Sequence, residues 1–239
     1  MKDRPFLISG ILGLGAVVMT LVLSAVGPRP VAPLPAGFMT PVLVFEFAET
    51  ADEVATLFAP VGQPAGDAVR VAMDRVNRLD FLYIALYGGC LLAFSLVCFR
   101  LTGQRVYLLA AALAVGIMVS DVLENVQLLA ITRELGARPI DARLTLLRLF
   151  TWLKWGGLAL WFLLMRYYFQ RAGRFGRFVG WVSVFPLLLG IAAFVRPGLM
   201  SELFALSIGL LFLLLTVYSW RSRRPQPSLV DNQLAIGDL

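Results

Sequence analysis

Apolar residues run along this chain in long unbroken stretches, and most polar residues collect between them. Six stretches, at residues 6–26, 81–99, 106–131, 144–169, 178–195 and 203–220, approach or exceed the length of a bilayer crossing, for which about 20 apolar residues are needed. The pattern predicts an all-α polytopic membrane protein, a six-helix transmembrane bundle over residues 1–224 with a polar, proline-containing tail at 225–239 that is expected to be disordered. The first stretch follows "MKDR", a fair start for a signal peptide. It is longer than a typical signal core, however, and proline follows both small-residue cleavage candidates, so it reads as an anchor. Pro186 is expected to kink the fifth stretch.

Residues 28–79, between the first and second stretches, have a different pattern. "GPRPVAPLPAG" (27–37) predicts an extended link. "TPVLVFEFAE" (40–49) is apolar on both faces except for Glu46 and reads as a short strand. Thr50 and Glu53 stand at capping-box spacing, which predicts a helix from Thr50 that ends by Pro60. Val69, Ala72, Val76 and Leu79 recur at helical spacing opposite Arg70, Asp74 and Arg78, so a further helix is expected to run unbroken into the second span. Segment 28–79 is thus expected to form a small extracytoplasmic α/β cap inserted between helices 1 and 2, a lid over helix ends.

Composition changes this picture little. The chain is 59% hydrophobic and 15% charged, with mean hydropathy +0.80, more apolar surface than one soluble core can bury. The net charge of +6 raises nucleic acid as a partner, but its distribution points elsewhere. Eleven basic residues sit at the N-terminus, loops 2–3 and 4–5 and the C-terminus, against eight on the other side together with most of the acids. By the positive-inside rule both termini are cytoplasmic, and no nucleic-acid partner is expected. Nineteen arginines to two lysines suit a GC-rich bacterial genome, so the expected location is a bacterial cytoplasmic membrane, with membrane lipids as partners. Histidine is absent, which excludes histidine-ligated haem and every histidine-based nucleophile–base pair. Cys90 and Cys98 lie about 12 Å apart on one predicted helix, too far for a disulfide. No cofactor is expected.

The exception to the segregation of polar and apolar residues is "VSDVLENVQL" (119–128), which carries Asp121 and Glu124 inside the third span. Counting about 1.5 Å per residue, Asp121 lies roughly 22 Å into a roughly 30 Å core. Arg148 on the fourth span falls near that level and Lys154 nearer the midplane. Asp80, Tyr83 and Tyr87 descend along one face of the second. Helical angles place Asp121, Glu124 and Asn125 on a shared face with Gln127 turned away, and Arg148, Thr151, Trp152 and Trp155 on another with Lys154 at its edge. Each charge near a bilayer centre costs about 2.5–3.5 kcal/mol, so the two acids are expected to pair with Arg148 and Lys154.

These eleven residues form the candidate ligand-binding site: Asp121, Glu124, Asn125, Arg148, Lys154, Tyr83, Tyr87, Thr151, Trp152, Trp155 and Asp80. Carboxylates beside aromatic walls suit a lipid or small amphiphile held by its polar end, and paired carboxylates are also capable of acid–base work. Two acids three residues apart, with cations nearby, are a poor metal site, so no metal is expected. A proton- or ion-coupled transporter is the alternative, weakened by the absence of a visible repeat. A second alternative is a structural or assembly protein in which the charges only fix helix packing.

Overall fold

The computed structural model describes residues 4–30, 33–58 and 64–222. The described residues form nine α-helices and no strand: α1 (Leu7–Val26), α2 (Pro41–Glu46), α3 (Ala51–Phe58), α4 (Pro64–Thr102), α5 (Val106–Glu134), α6 (Asp141–Gln170), α7 (Gly173–Val182), α8 (Phe185–Val195) and α9 (Leu199–Arg221). The long helices close into a ring in the order α1, α4, α5, α6, α7–α8, α9 and back to α1. The tail at 225–239 and the end of the capping-box helix near Pro60 lie outside the described residues.

Among the described residues five stretches are long and apolar enough to cross a membrane: α1, α4, α5, the pair α7–α8 and α9. Six were expected from the sequence. α6 covers the expected fourth span, but Arg148, Lys154, Arg166 and three tryptophans dilute its apolar run. The expected fifth span is two helices, because Pro186 in the first turn of α8 offers no N–H to the carbonyl of Val182 and its ring crowds that oxygen. α5 and α6 form an antiparallel hairpin whose turn places Gly136 at φ 77°, a conformation glycine adopts without a Cβ clash. The two helices lie close: a Cβ on Gly157 of α6 would meet Ile117 Cγ1 at 2.7 Å.

The short strand expected at 40–49 is a helix, α2, so the cap is helical rather than α/β. Proline at the first helical position has the φ angle the helix needs and lacks only an N–H that would go unpaired there. A lone strand would find no edge to pair with and would leave its backbone groups unsatisfied. The helix also buries both apolar faces of the segment: Leu43, Val44 and Phe45 are all buried, with Val44 and Phe45 in the cap core and Leu43 over the groove. α3 follows from a reciprocal capping box: Thr50 Oγ1 accepts from Glu53 N at 3.3 Å, and Glu53 Oε2 accepts from Thr50 N at 3.3 Å and from Glu49 N at 2.7 Å.

The ring encloses one hydrophobic core and the cap completes a second. The bundle core is largely aromatic: Phe94 meets Phe6, Trp161, Tyr168, Phe169 and Tyr218, with ring centroids 4.5–6.1 Å apart. The second core joins Phe45, Val54 and Phe58 of the cap to Met73 of α4, Ile131 of α5 and Leu144 and Leu147 of α6. α4 has 39 residues and spans about 58 Å, roughly twice a hydrocarbon thickness. Its first turns therefore stand beyond the bundle as a mast for the cap.

Glu202, buried at the start of α9, ties the cap to the bundle. Its carboxylate accepts from Met39 N, Thr40 N and Thr40 Oγ1, each at 2.8 Å. Replacement Glu202→Ala should cost about 2–3 kcal/mol, since hydrogen bonds to a charged group contribute about 1.5–3 kcal/mol. The test is hydrogen exchange in detergent, in which amides of 39–46 should lose protection before those of α4–α6; unchanged protection would contradict the tether.

Candidate functional site

Polar side chains gather at the seam between the two cores. Asp121 lies thirteen residues before the end of α5 and Lys154 thirteen residues after the start of α6, so the hairpin sets them level with each other. α4 brings Asp80, Tyr83 and Tyr87 to the same layer, and α2 lowers Glu46 into it from above.

The centre of the layer is the ammonium of Lys154, whose side chain is 8% exposed. It pairs with the Glu124 carboxylate, with Glu46 Oε2 at 3.2 Å and with Asp121 Oδ1 at 3.5 Å. It also lies 5.1 Å from the ring centroid of Trp155. Trp155 Nε1 donates to Glu46 Oε2 at 3.0 Å. The Thr151 hydroxyl lies within hydrogen-bond reach of the Glu124 carboxylate and of the Glu46 carbonyl, 3.1 Å away, and its single proton serves one of them at a time. The Tyr87 hydroxyl donates to Asp121. Asn125 Nδ2 donates to Asp80 Oδ2 at 2.7 Å.

The structure thus brings together Asp80, Tyr83, Tyr87, Asp121, Glu124, Asn125, Thr151, Lys154 and Trp155, and it rearranges the expected pairing. Arg148, half exposed, turns outward to Glu49 at 3.3 Å and reaches neither Asp121 nor Glu124. Arg148 and Lys154 are six residues apart on α6, about 120° around the helix, so when Lys154 faces the interior Arg148 does not. The cation count at the centre is therefore one. Glu46 takes the place opposite Lys154 that the sequence had not assigned. Its signal was visible as the single acid in an otherwise apolar ten-residue stretch, and reading that stretch as a strand concealed where the side chain points. Gln127 is buried as well, and accepts from Arg143 Nη1 at 3.4 Å on the cap side.

Three carboxylates around one ammonium, with Asp80 beside them, leave an excess of negative charge in a water-poor layer. An interior does not sustain that imbalance, so protons on the carboxylates or a cation from outside the chain make up the difference. Asp121 Oδ1 is buried and takes no hydrogen bond among the described residues, since 3.5 Å to the ammonium is ion-pair distance only. Among the described residues no group of three or more histidine, cysteine, aspartate or glutamate side chains is arranged to hold a metal ion.

Open space is unequal on the two sides of the layer. Toward α6 and α8, Trp152 packs on Phe47 at 5.4 Å and on Phe194 at 5.0 Å, and only a slot of about 10 Å³ remains beside Glu46 and Thr151. Toward α1 and α9, a groove of about 530 Å³ opens beneath α2, with Asp80 and Tyr83 on its inner wall. The tryptophans therefore wall the closed side, and the tyrosines of α4 lead from the groove to the charges, with ring centroids 5.1 Å apart. Leu206 and Leu210 of α9 form part of the groove and are 61% and 48% exposed, so it opens sideways as well as inward.

Comparison of the chain with protein-family models, characterised proteins and solved structures gives no match. The chain is a membrane-type helical protein with buried charged residues. Lys154→Met should destabilise it by about 3–5 kcal/mol, because it strands the carboxylates that the ammonium holds. Arg148→Ala should change stability by less than about 1 kcal/mol, the usual worth of a solvent-exposed pair. Thermal unfolding of the two variants in the same detergent checks both; equal losses would contradict the assignment of Lys154 as the central cation.

Proposed function

We propose that this is a six-span bacterial inner-membrane protein that holds a lipid or small amphiphile in the groove between α1, α4 and α9. In this reading α6 is the sixth crossing, its charged turn tolerated because it faces the interior and is paired there. Both termini are cytoplasmic, following the basic residues, and the cap lies on the outer face. The ligand enters from the outer leaflet and its polar end reaches Asp80.

The observation that carries this reading is the meeting of groove and charge layer. A volume of about 530 Å³ falls in the range of about 300–1,000 Å³ common to small-molecule sites. Its wall is mainly apolar and carries a few polar groups, Asp80 among them, as such sites are built. A coupled transporter finds less support. Among the described residues no buried acid or base lies in the bundle core beyond the layer, where Phe94, Trp161, Phe162 and Phe169 fill the interior. A proton or ion passing the layer would meet close-packed rings. The purely structural reading has one observation in its favour, the bridging of α2, α5 and α6 by Lys154. The two roles coexist, since a layer that fixes the cap also fixes the groove beneath it.

Gly209 offers the test. It lines the groove, and a Cβ there would have no neighbour within 4 Å. Gly209→Trp should fill the space while leaving the unfolding temperature within a few degrees of the parent. Native mass spectrometry of protein released from mild detergent should show about one amphiphile per chain on the parent and a loss of most of that adduct on the variant. An adduct unchanged by the substitution would remove the groove from the account.

A further inference from the structure

The proposal above leaves the chemistry of the ligand's polar end open, and the charges around the groove bear on it. Among the described residues two charged side chains line it, Asp80 and Glu202, and no arginine or lysine does. Glu202 is fully engaged: Oε1 takes the N–H groups of Met39 and Thr40, and Oε2 takes the Thr40 hydroxyl. Asp80 is not. Its Oδ2 holds Asn125, and Oδ1 takes no hydrogen bond among the described residues. Behind Asp80 the charge layer sets Glu46, Asp121 and Glu124 against the single ammonium of Lys154. Tyr83 adds an aromatic ring to the wall beside Asp80.

An anionic headgroup in this groove would meet no cation and would face a free carboxylate oxygen. A cationic one would find a carboxylate acceptor and an aromatic face able to contact it, and would bring positive charge to a layer that holds more carboxylates than cations. We infer that the groove, read as an amphiphile site, takes a single-chain amphiphile whose headgroup is an ammonium without an accompanying phosphate. The ammonium donates to Asp80 Oδ1 and lies against Tyr83, and the chain runs along the apolar wall toward Leu206 and Leu210. This assignment rests on the groove being a binding site. It adds what the site selects, and it makes the buried acids part of recognition: they hold the cap through Lys154 and also bias the groove toward positive charge.

Three probes with one chain and three headgroups separate the possibilities: hexadecylamine, hexadecanol and hexadecyl phosphate. Each is titrated into the full-length protein in a neutral detergent, and the adduct is counted by native mass spectrometry for the parent, Gly209→Trp and Asp80→Asn. The Gly209→Trp-sensitive part of each signal is the groove; the remainder belongs to the rest of the surface, including the basic face of α7. In the parent the groove adduct with the amine should exceed those with the alcohol and the phosphate by about tenfold or more, the worth of a charge-assisted hydrogen bond. Asp80→Asn keeps the shape and an oxygen for Asn125, and should bring amine and alcohol to within about threefold of each other. A groove adduct that favours the phosphate, or treats all three alike, overturns the ammonium assignment and leaves the amphiphile site standing. Adducts that Gly209→Trp does not reduce overturn the site itself, and the ammonium assignment with it. The parent comparison alone decides the headgroup if the Asp80 variant fails to fold.

Discussion

A single buried ammonium, that of Lys154, faces more carboxylates than it can neutralise, and the upper half of this protein is arranged around it. Charge inside an apolar bundle is tolerated only when it is paired and hydrogen-bonded. Here the partners come from three directions: Asp121 and Glu124 from α5, Glu46 from α2, with Thr151, Tyr87 and Trp155 closing the remaining positions. Because Glu46 belongs to the cap, the ion-pair layer works as the joint between two hydrophobic cores that otherwise share only α4, α5 and α6. A second carboxylate, Glu202, repeats the arrangement at the edge, gripping the backbone at the entry to α2. α2 is held down by acids at both of its ends.

That construction explains the unequal helix lengths. α1 and α9 match a bilayer, whereas α4 extends well past one and α5 and α6 moderately so, since these three carry the cap core on their projecting turns. The groove lies where long and short helices meet. α1 ends at Val26 and α9 begins at Leu199, so beside them α4 stands partly uncovered, and the segment from Met39 to Leu43 roofs the gap. The opening follows from the architecture, and Asp80 lies on its wall because the charge layer and the ends of the short helices fall at nearly the same height.

Much of this was legible in the order of residues, for identifiable reasons. Long apolar runs dictate helices whatever their neighbours do, so the positions of α1, α4, α5 and α9 could be read directly. Helical angle and axial rise placed Asp80, Tyr83, Tyr87, Asp121 and Glu124 in one half of the bundle, because both quantities are local. They set Arg148 level with the acids and Lys154 deeper, whereas the hairpin sets Lys154 level with Asp121. What could not be read depended on contacts distant in sequence. The segment around Glu46 alternates poorly and is rich in β-branched and aromatic residues, yet Pro41 and two buried faces make it a helix. Arg148 was placed at the level of the acids and Lys154 deeper, at the edge of its face, with both expected to pair with them. The packing of α6 against α5 instead turns Lys154 inward and leaves Arg148 to Glu49. The groove left almost no trace, since its wall combines pieces of α1, α2, α4 and α9 whose apolar residues look like any lipid-facing surface.

Two features then converge on a ligand: a buried layer with more carboxylates than cations, and a sideways-opening groove that ends on Asp80, whose Oδ1 takes no hydrogen bond among the described residues. The most direct measurement is an experimental structure of the full chain in nanodiscs made from its host's own lipids. The account predicts elongated density along α9 from Leu210 to Leu206 that ends within hydrogen-bond distance of Asp80, with Lys154 still bridging α2, α5 and α6. A groove closed by Tyr83 and Leu206 in contact, or filled only with water down to Asp80, would contradict it.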